Sequence, residues 1–186
     1  YINDKSEAIA PAVLEESVSE NIRDLAVKVY KALGCGGFSL WDGEKEVRLV
    51  ATKGRTARAG DTKKGSYVEM IAYGVEYMGD MVDIMVRIEM NVKSRIASVS
   101  AKELSGKKVR FLTGVNYHEG QKILMEKKHV TVWGIHPVEG QAFPVGAAVM
   151  FSDKDFPTVE KTDEMVRAIS VPLAEVKTKI MAASTK

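Results

Sequence analysis

Residues 67–99 carry two hydrophobic patterns at once, and the choice between them decides the fold class of the chain. One pattern alternates strictly along residues 82–92, as in a strand with one buried face. The other repeats at helical spacing along the segment, with Asp83 and Arg87 placed as an i, i+4 ion pair on the opposite face. Methionine is frequent here and favours helices. We therefore predict a helix and keep the strand as the alternative.

A second helix is predicted at residues 17–33. Ser17 and Glu20 form a capping box, in which each side chain satisfies a free backbone N–H at a helix start. Apolar residues then recur at helical spacing until a glycine ends the pattern. Residues 1–16 are interpreted as an N-terminal extension, and residues 17–186 as one domain.

Strand signals surround these predicted helices. Residues 38–51 are predicted to form a hairpin around the turn pair Asp42-Gly43. Residues 53–66 lack periodicity and are predicted to be a basic loop. Three further strands and a last helix are predicted at residues 108–115, 130–138, 144–152 and 159–183, with the helix kinked or broken at Pro172.

The predicted order of elements is helix, hairpin, helix, three strands and helix. An antiparallel sheet with helices to one side fits this order better than a doubly wound parallel sheet. The chain has 186 residues, of which 45% are hydrophobic, so it can bury a core without disulfides or metal. The predicted fold class is α+β, with a central antiparallel sheet and flanking helices.

Residues 130–155 resemble the closing hairpin of a GAF-type sensor domain. The strand that carries the likeness is Pro144-Val-Gly-Ala-Ala-Val-Met-Phe-Ser152, which follows a first strand and a short turn. The likeness is greatest to the C-terminal GAF-like domain of the sporulation stage V regulator T. The resemblance implies a GAF/PAS-like architecture, a long helix that closes the domain, and a regulatory role.

A second likeness involves residues 9–13, Ile-Ala-Pro-Ala-Val, and residues 25–35, Leu-Ala-Val-Lys-Val-Tyr-Lys-Ala-Leu-Gly-Cys, which are similar to a helix of D-alanine–D-alanine ligases. In those enzymes a metal-binding acidic residue and a Glu-x-Asn strand should follow. Residues 36–66 supply neither feature. We interpret this likeness as chance similarity between amphipathic helices.

Soft and aromatic side chains concentrate between residues 70 and 85. Methionine adapts to irregular shapes, and binding pockets are mostly apolar with a few polar groups for orientation. Simple core packing explains the same residues, whereas the functional alternative is a cavity between residues 67–90 and the sheet. The predicted ligand-binding residues are Phe38, Met70, Tyr73, Tyr77, Met81, Phe111 and Trp133.

No catalytic or metal-binding constellation can be assembled from the sequence. The three histidines, His118, His129 and His136, lack the spacing of a zinc motif, although His136 as a haem or metal ligand is kept as an alternative. The single cysteine, Cys35, lies among glycines without a neighbouring base or positive charge to activate it. We therefore predict no enzymatic activity and no metal, and leave any other cofactor unknown.

The formal net charge of +2 is small for a nucleic-acid-binding domain, which argues against nucleic acid as the partner of this domain alone. The basic loop at residues 53–66 is interpreted as a solvated surface loop, with an anion site as the alternative. No apolar run reaches the length of a membrane span. We expect a cytoplasmic location, with an extracytoplasmic sensor domain as the alternative.

The expected function is a sensory or regulatory domain that binds a small molecule and signals through its terminal helices. A seam of apolar residues along each terminal helix predicts a homodimer. A dimerisation or scaffold domain without ligand is one alternative, and a small enzyme that acts on an anionic substrate is the other.

Overall fold

The computed structural model describes residues 37–92, 94–138 and 141–184, without the side chains of residues 136–138, 141–143 and 184. Within these ranges the chain forms thirteen strands and no helix. There is accordingly no helix among these residues that is long and apolar enough to cross a membrane. The predicted α+β class with flanking helices is therefore wrong, because the described chain is all-β.

The strands follow one another in short antiparallel steps. Their bounds are β1 Ser39–Trp41, β2 Glu46–Val47, β3 Gly54–Asp61, β4 Gly65–Tyr77, β5 Asp80–Asn91, β6 Ile96–Glu103, β7 Phe111–Asn116, β8 Lys122–Glu126, β9 His129–Val138, β10 Gln141–Phe151, β11 Thr158–Lys161, β12 Met165–Ile169 and β13 Glu175–Ser184.

Two antiparallel sheets make up the fold. The five-stranded sheet has the order β11-β12-β7-β1-β2, and the eight-stranded sheet has the order β3-β4-β5-β6-β13-β10-β9-β8. They pack face to face over a shared hydrophobic core. Leu40, Phe111 and Val166 enter that core from the five-stranded sheet, and Ile84 and Val149 from the eight-stranded sheet. We call the face of the eight-stranded sheet that meets this core its inner face, and the opposite one its outer face.

The middle segment follows the alternating pattern, so the predicted helix at residues 67–99 is wrong and the strand alternative is correct. Val82, Ile84 and Val86 of β5 are buried on the inner face. The helical pattern was misleading because residues four positions apart share one face of a helix, and any even number of positions also leads back to the same face of a strand. Asp83 and Arg87 therefore share one face of a strand just as they would share one face of a helix.

The predicted last helix is also wrong, since residues 158–184 contain β11, β12 and β13. Val166 and Ile169 belong to two different buried clusters, on the two faces of β12. A short strand that is apolar on both faces gives a run that periodicity alone does not distinguish from a helix. The dimer seam predicted along this helix is thus wrong, and the seam predicted at residues 17–33 lies outside the described residues.

Other local predictions are confirmed. The hairpin at residues 38–51 is formed by β1 and β2, with Leu40 opposite Val47. Residues 130–138 lie in β9 and residues 144–151 in β10, which pair with each other, and β10 is central because β13 pairs with its other edge. Residues 53–66, predicted as a loop, instead contain the exposed edge strand β3.

The GAF resemblance is wrong. The hairpin that suggested it exists as β9 and β10, but strands rather than a closing helix follow it along the chain. A strand–turn–strand unit with an apolar second strand occurs in many antiparallel sheets. This segment therefore specified a hairpin without specifying the fold around it.

The turn at Asp42 provides a test of local electrostatics. The backbone N–H groups of Lys45 and Glu44 each donate to Asp42 Oδ1 at 2.8 Å. These two hydrogen bonds lower the pKa of the Asp42 carboxyl from its ordinary value of 3.8. A depressed pKa in the folded state stabilises the turn above the unfolded pKa, and this contribution is lost as the pH falls through the folded pKa.

An NMR titration of Asp42 is accordingly expected to give a midpoint below 3.8. The Asp42→Asn variant keeps a side-chain oxygen as acceptor and removes the charge. Its stability difference from the unmodified protein should therefore shrink as the pH falls below the midpoint. A midpoint at or above the ordinary value would contradict the role of the two backbone donors.

Candidate binding groove on the outer face of the eight-stranded sheet

The residues predicted to bind a ligand are not brought together by the fold. Phe38, Phe111 and Tyr77 are buried in the core, and the rings of Phe38 and Phe111 meet edge to face with centroids 6.0 Å apart. Met70 and Met81 are about half exposed, at 49% and 48%. Tyr73 is half-buried at the irregularity of β4, and Trp133 is exposed on β9. None of the seven residues lines the groove described below or the depression beside residues 61–66.

The depression of interest is a groove of about 710 Å³ on the outer face of the eight-stranded sheet. Its floor is formed by side chains that alternate outward from β5, β6 and β13, and its end by residues of β10 and the turn after it. The outward-facing residues are Met85, Arg87 and Glu89, then Ser98, Ser100 and Lys102, then Glu175, Lys177 and Lys179, with Met150 and Ser152 at the end.

Strand register arranges these side chains in rows that cross the groove. Arg87 pairs with Ser100, which in turn pairs with Lys177. The adjacent row contains Glu89, Ser98 and Lys179. Neighbouring strands lie about 4.8 Å apart, so each row places its polar groups within reach of one small ligand.

The best-positioned group in the groove is the Arg87 guanidinium. It stands over the ring of Tyr67, with Cζ 3.7 Å from the ring centroid. Its nitrogens lie 3.4 Å from carboxylate oxygens of Glu69 and Glu89. Only 28% of the Arg87 side chain is exposed. Contacts from a ring and two carboxylates thus fix the orientation of this cation at the groove surface.

Glu69 of β4 anchors two arginines. Its side chain is buried and also accepts a hydrogen bond from Arg58 of β3, at 2.6 Å. Register explains the contact, because Glu69 stands directly between Arg58 and Arg87 on neighbouring strands. A buried carboxylate requires such partners, since an uncompensated charge is costly away from water. Within residues 53–66, which were predicted to be a basic loop, Arg58 is the residue that joins this network, and it lies on strand β3.

The groove carries more positive than negative charge. Its cations are Arg87, Lys102, Lys177 and Lys179, and its carboxylates are Glu89 and Glu175. Lys177 pairs with Glu175 at 3.2 Å. Lys102 and Lys179 make no ion pair with the residues that the structure describes. Two cations therefore remain available to an anionic ligand.

Sequence reasoning missed this groove. Its residues come from four segments, on β5, β6, β10 and β13, and the predicted helices covered β5, the start of β6 and β13. The usable signal was the polar half of each alternating pattern, such as Ser98, Ser100 and Lys102 in β6. Such a pattern marks a solvated strand face, but it does not show which strands become neighbours.

The other candidate residues lie apart from the groove floor. His118 is in the turn after β7, and His129 Nδ1 lies 3.8 Å from a carboxylate oxygen of Glu126. The side chain of His136 and all of Cys35 fall outside the described residues. Among the residues that the structure does describe, no group of three or more His, Cys, Asp or Glu is placed to hold a metal ion.

One protein family covers most of the chain. The family model described as "Domain of unknown function (DUF4861)" matches residues 24–185. Its description names no activity. Because the match extends over the described strands, it includes the groove and both sheets.

Curated relatives include D-alanine–D-alanine ligases, the class whose likeness to residues 25–35 we interpreted as chance. Ligase B of Clostridium tetani is 30% identical over 95 residues, which are 50% of this chain and 26% of the ligase. The ligases of Rhodococcus erythropolis and Blochmanniella floridana are 52% and 45% identical over 42 residues, or 23% of this chain and 11% and 12% of theirs. The matches thus span about a quarter or less of each ligase.

A solved structure that superposes on this chain is the α-N-acetylgalactosaminidase NagBb of Bifidobacterium bifidum in complex with GalNAc. The superposition covers 81% of this chain and 31% of that chain, with a TM-score of 0.45 and 8% sequence identity. Similarity at this level carries no argument about function or site residues.

Proposed function

This chain belongs to the DUF4861 family, a domain of unknown function, and we propose that it is a binding module whose outer-face groove takes an acidic ligand that presents carboxylate, sulfate or phosphate groups. The observation that carries the proposal is the fixed Arg87 guanidinium beside two lysines that have no described ion-pair partner. The proposal keeps the ligand-binding part of the expected sensory role. Signal transfer through a C-terminal helix is no part of it, because that segment is a strand.

Arg87 is suited to anion binding because its geometry is set before a ligand arrives. A guanidinium presents paired N–H donors that match a carboxylate, sulfate or phosphate oxygen pair. Tyr67, Glu69 and Glu89 already restrict its rotamers, so little side-chain entropy is lost on binding. Its partial burial also lowers the local dielectric, which strengthens attraction to an anion.

Lys102 and Lys179 add positive charge on either side of the Arg87 row. Glu89 and Glu175 keep the groove from being uniformly basic, and they provide acceptors for ligand hydroxyl groups. Ser98 and Ser100 both donate and accept hydrogen bonds. This mixture suits a ligand that carries both anionic groups and hydroxyls.

The double variant Lys102→Gln/Lys179→Gln tests the groove. We expect it to weaken binding of inorganic sulfate, phosphate and D-galacturonate by about tenfold, since each exposed charge contributes roughly 0.5–1 kcal/mol. Binding is measured by isothermal calorimetry and by ligand-dependent shifts of the thermal unfolding midpoint. Arg87, Glu69 and Glu89 stay unchanged, so the network around the guanidinium is preserved.

The matched control is Lys45→Gln/Lys108→Gln, which removes the same charge from exposed positions in the β1–β2 turn and before β7. It is expected to bind all three anions like the unmodified protein. Equal losses in both double variants would show a net-charge effect and contradict a groove-specific site. Absence of anion binding by the unmodified protein would contradict the proposal directly.

A further inference from the structure

The indole of Trp133 lies on the outer face of the eight-stranded sheet, against the neighbouring strand. It stands opposite Gly146 of the neighbouring strand β10. A Cβ added at Gly146 would clash with Cε3 of the indole and lie 2.7 Å from its Cζ3. The six-membered ring of Trp133 therefore rests on the glycine backbone, while the residue remains 37% exposed. The indole is thus supported by the Gly146 backbone and remains partly open to solvent.

Apolar side chains continue from the indole towards the groove, and the exposed Lys122 pairs with Trp133 on its other side, from β8. Leu124, Ile135 and Met181 are exposed on the same face, and Ala148 lies between Trp133 and the groove residue Met150 along β10. We call Trp133 and these neighbours the indole platform. Register places Trp133 two strands and four residues from Lys179, a distance of about 16 Å. This is the span of a short oligomeric ligand.

A second aromatic ring on this face provides an internal comparison. Tyr67 covers Gly60 in the same way, with Cε1 2.9 Å from an added Cβ. An aromatic ring that covers a strand glycine shields the backbone and stabilises a sheet. This explains the position of the Tyr67 ring over Gly60 and the contact of Trp133 with Gly146. The Arg87 guanidinium occupies the outer side of Tyr67. Among the described residues, no aromatic ring or cation stacks on Trp133.

We propose that the indole platform stacks a pyranose ring of an acidic oligosaccharide whose charged groups lie in the groove; this inference rests on the proposed function. The C–H groups on one side of a pyranose ring present positive hydrogens to the negative face of an indole. The sugar hydroxyls need both donors and acceptors, and the groove offers both in its lysines, serines and glutamates.

Single-stranded nucleic acid also combines stacked rings with a basic groove. The groove carboxylates favour the oligosaccharide. Glu89 and Glu175 would face a continuous phosphate backbone with like charge, whereas sugar hydroxyls can donate hydrogen bonds to them. An acidic oligosaccharide also spaces its charges by whole sugar rings, which leaves uncharged hydroxyls to meet the glutamates.

The test uses tryptophan fluorescence with acrylamide as quencher. The sequence has two tryptophans, and Trp41 is only 9% exposed, so accessible quenching reports mainly on Trp133. The probes are trigalacturonate, a hyaluronan tetrasaccharide and a chondroitin sulfate tetrasaccharide, with D-galacturonate, maltotriose and hexathymidylate for comparison. At least one acidic oligosaccharide is expected to protect Trp133 from quenching, more strongly than maltotriose or hexathymidylate does.

Trp133→Ala is expected to weaken binding of that oligosaccharide by about tenfold and to leave D-galacturonate binding unchanged. Trp133→Tyr keeps an aromatic ring over Gly146 and should retain most of the affinity, which separates stacking from a general loss of fold. Thermal unfolding of both variants checks the fold. The double variant Lys102→Gln/Lys179→Gln, by contrast, should bind both the oligosaccharide and D-galacturonate more weakly.

Three results would overturn the inference while leaving the groove proposal in place. These are unchanged oligosaccharide affinity in Trp133→Ala, stronger protection by hexathymidylate than by any acidic oligosaccharide, and no oligosaccharide binding by a protein that binds sulfate or D-galacturonate in the groove. Failure of every anion to bind would overturn both the proposed groove function and the stacking on Trp133. The sulfate and carboxylate probes also distinguish which acidic group the groove prefers.

Discussion

Replacing Phe111 by Ala is expected to lower the free energy of unfolding by about 3–5 kcal/mol. The Phe111 side chain is fully buried between the two sheets and meets Phe38 edge to face. Phe38 in turn stacks on Phe156, and Phe156 contacts Phe151 with ring centroids 5.5 Å apart. Removing the Phe111 ring therefore leaves a cavity at a point where both sheets contribute to one aromatic cluster. A loss of this size is a large share of the stability of an ordinary domain.

The matched control is Met81→Ala, which removes a large apolar side chain that was predicted, like Phe111, to line a ligand cavity. Met81 is about half exposed on β5, so its loss is expected to change the free energy of unfolding by about 0.5 kcal/mol or less. Urea unfolding measures both variants, and an unchanged m-value shows that the transition is still two-state. If Phe111→Ala costs no more than Met81→Ala, the aromatic cluster is not the core.

Replacing Tyr77 by Phe is expected to cost about 2 kcal/mol, a large effect for the removal of one oxygen atom. The Tyr77 hydroxyl of β4 donates to the backbone oxygen of Trp41 at 2.9 Å. It also accepts a hydrogen bond from the backbone N–H of Arg110 at 3.2 Å. Trp41 ends β1 of the five-stranded sheet, and its backbone N–H donates at 2.9 Å to the oxygen of Arg110, which immediately precedes β7, so one hydroxyl connects the two sheets.

Loss of the Tyr77 hydroxyl leaves two backbone groups without that partner, and the hydrogen bond to the Trp41 oxygen is buried. Tyr73→Phe is the control, because Tyr73 lies on the same strand and its hydroxyl makes no hydrogen bond with the described residues. Chemical denaturation compares the two variants, and hydrogen exchange at the Arg110 amide localises the change. Unaltered exchange at Arg110 in Tyr77→Phe would argue against the bridge between the sheets.

Local sequence patterns predicted the parts of the fold in which every signal agreed. The turn pair Asp42-Gly43 between two apolar runs predicted β1 and β2, and the apolar runs of residues 130–138 and 144–152 predicted β9 and β10. In each segment the strand length, the turn residues and the apolar pattern indicated the same structure. These strands could therefore be assigned from neighbouring residues.

The tertiary structure determined the conformation of the segments whose sequence fits both a helical and a strand pattern. Even spacings, such as that between Asp83 and Arg87, place residues on one face in either a helix or a strand. The strand prevails at β5 because β4 and β6 pair with its two edges and the core covers its inner face. Residues 53–66 had no apolar pattern, yet they form a strand because β4 offers an edge with which β3 pairs.

The sequence by itself determined which strand faces are polar, but only the tertiary structure placed those faces side by side. Lys102 and Lys179 meet in one groove because β6 and β13 pair across more than 70 positions of sequence. Trp133 lies against the backbone of the next strand because Gly146 there has no side chain to displace it. Both arrangements depend on register, which backbone hydrogen bonds and core burial fix between strands and which no single strand encodes.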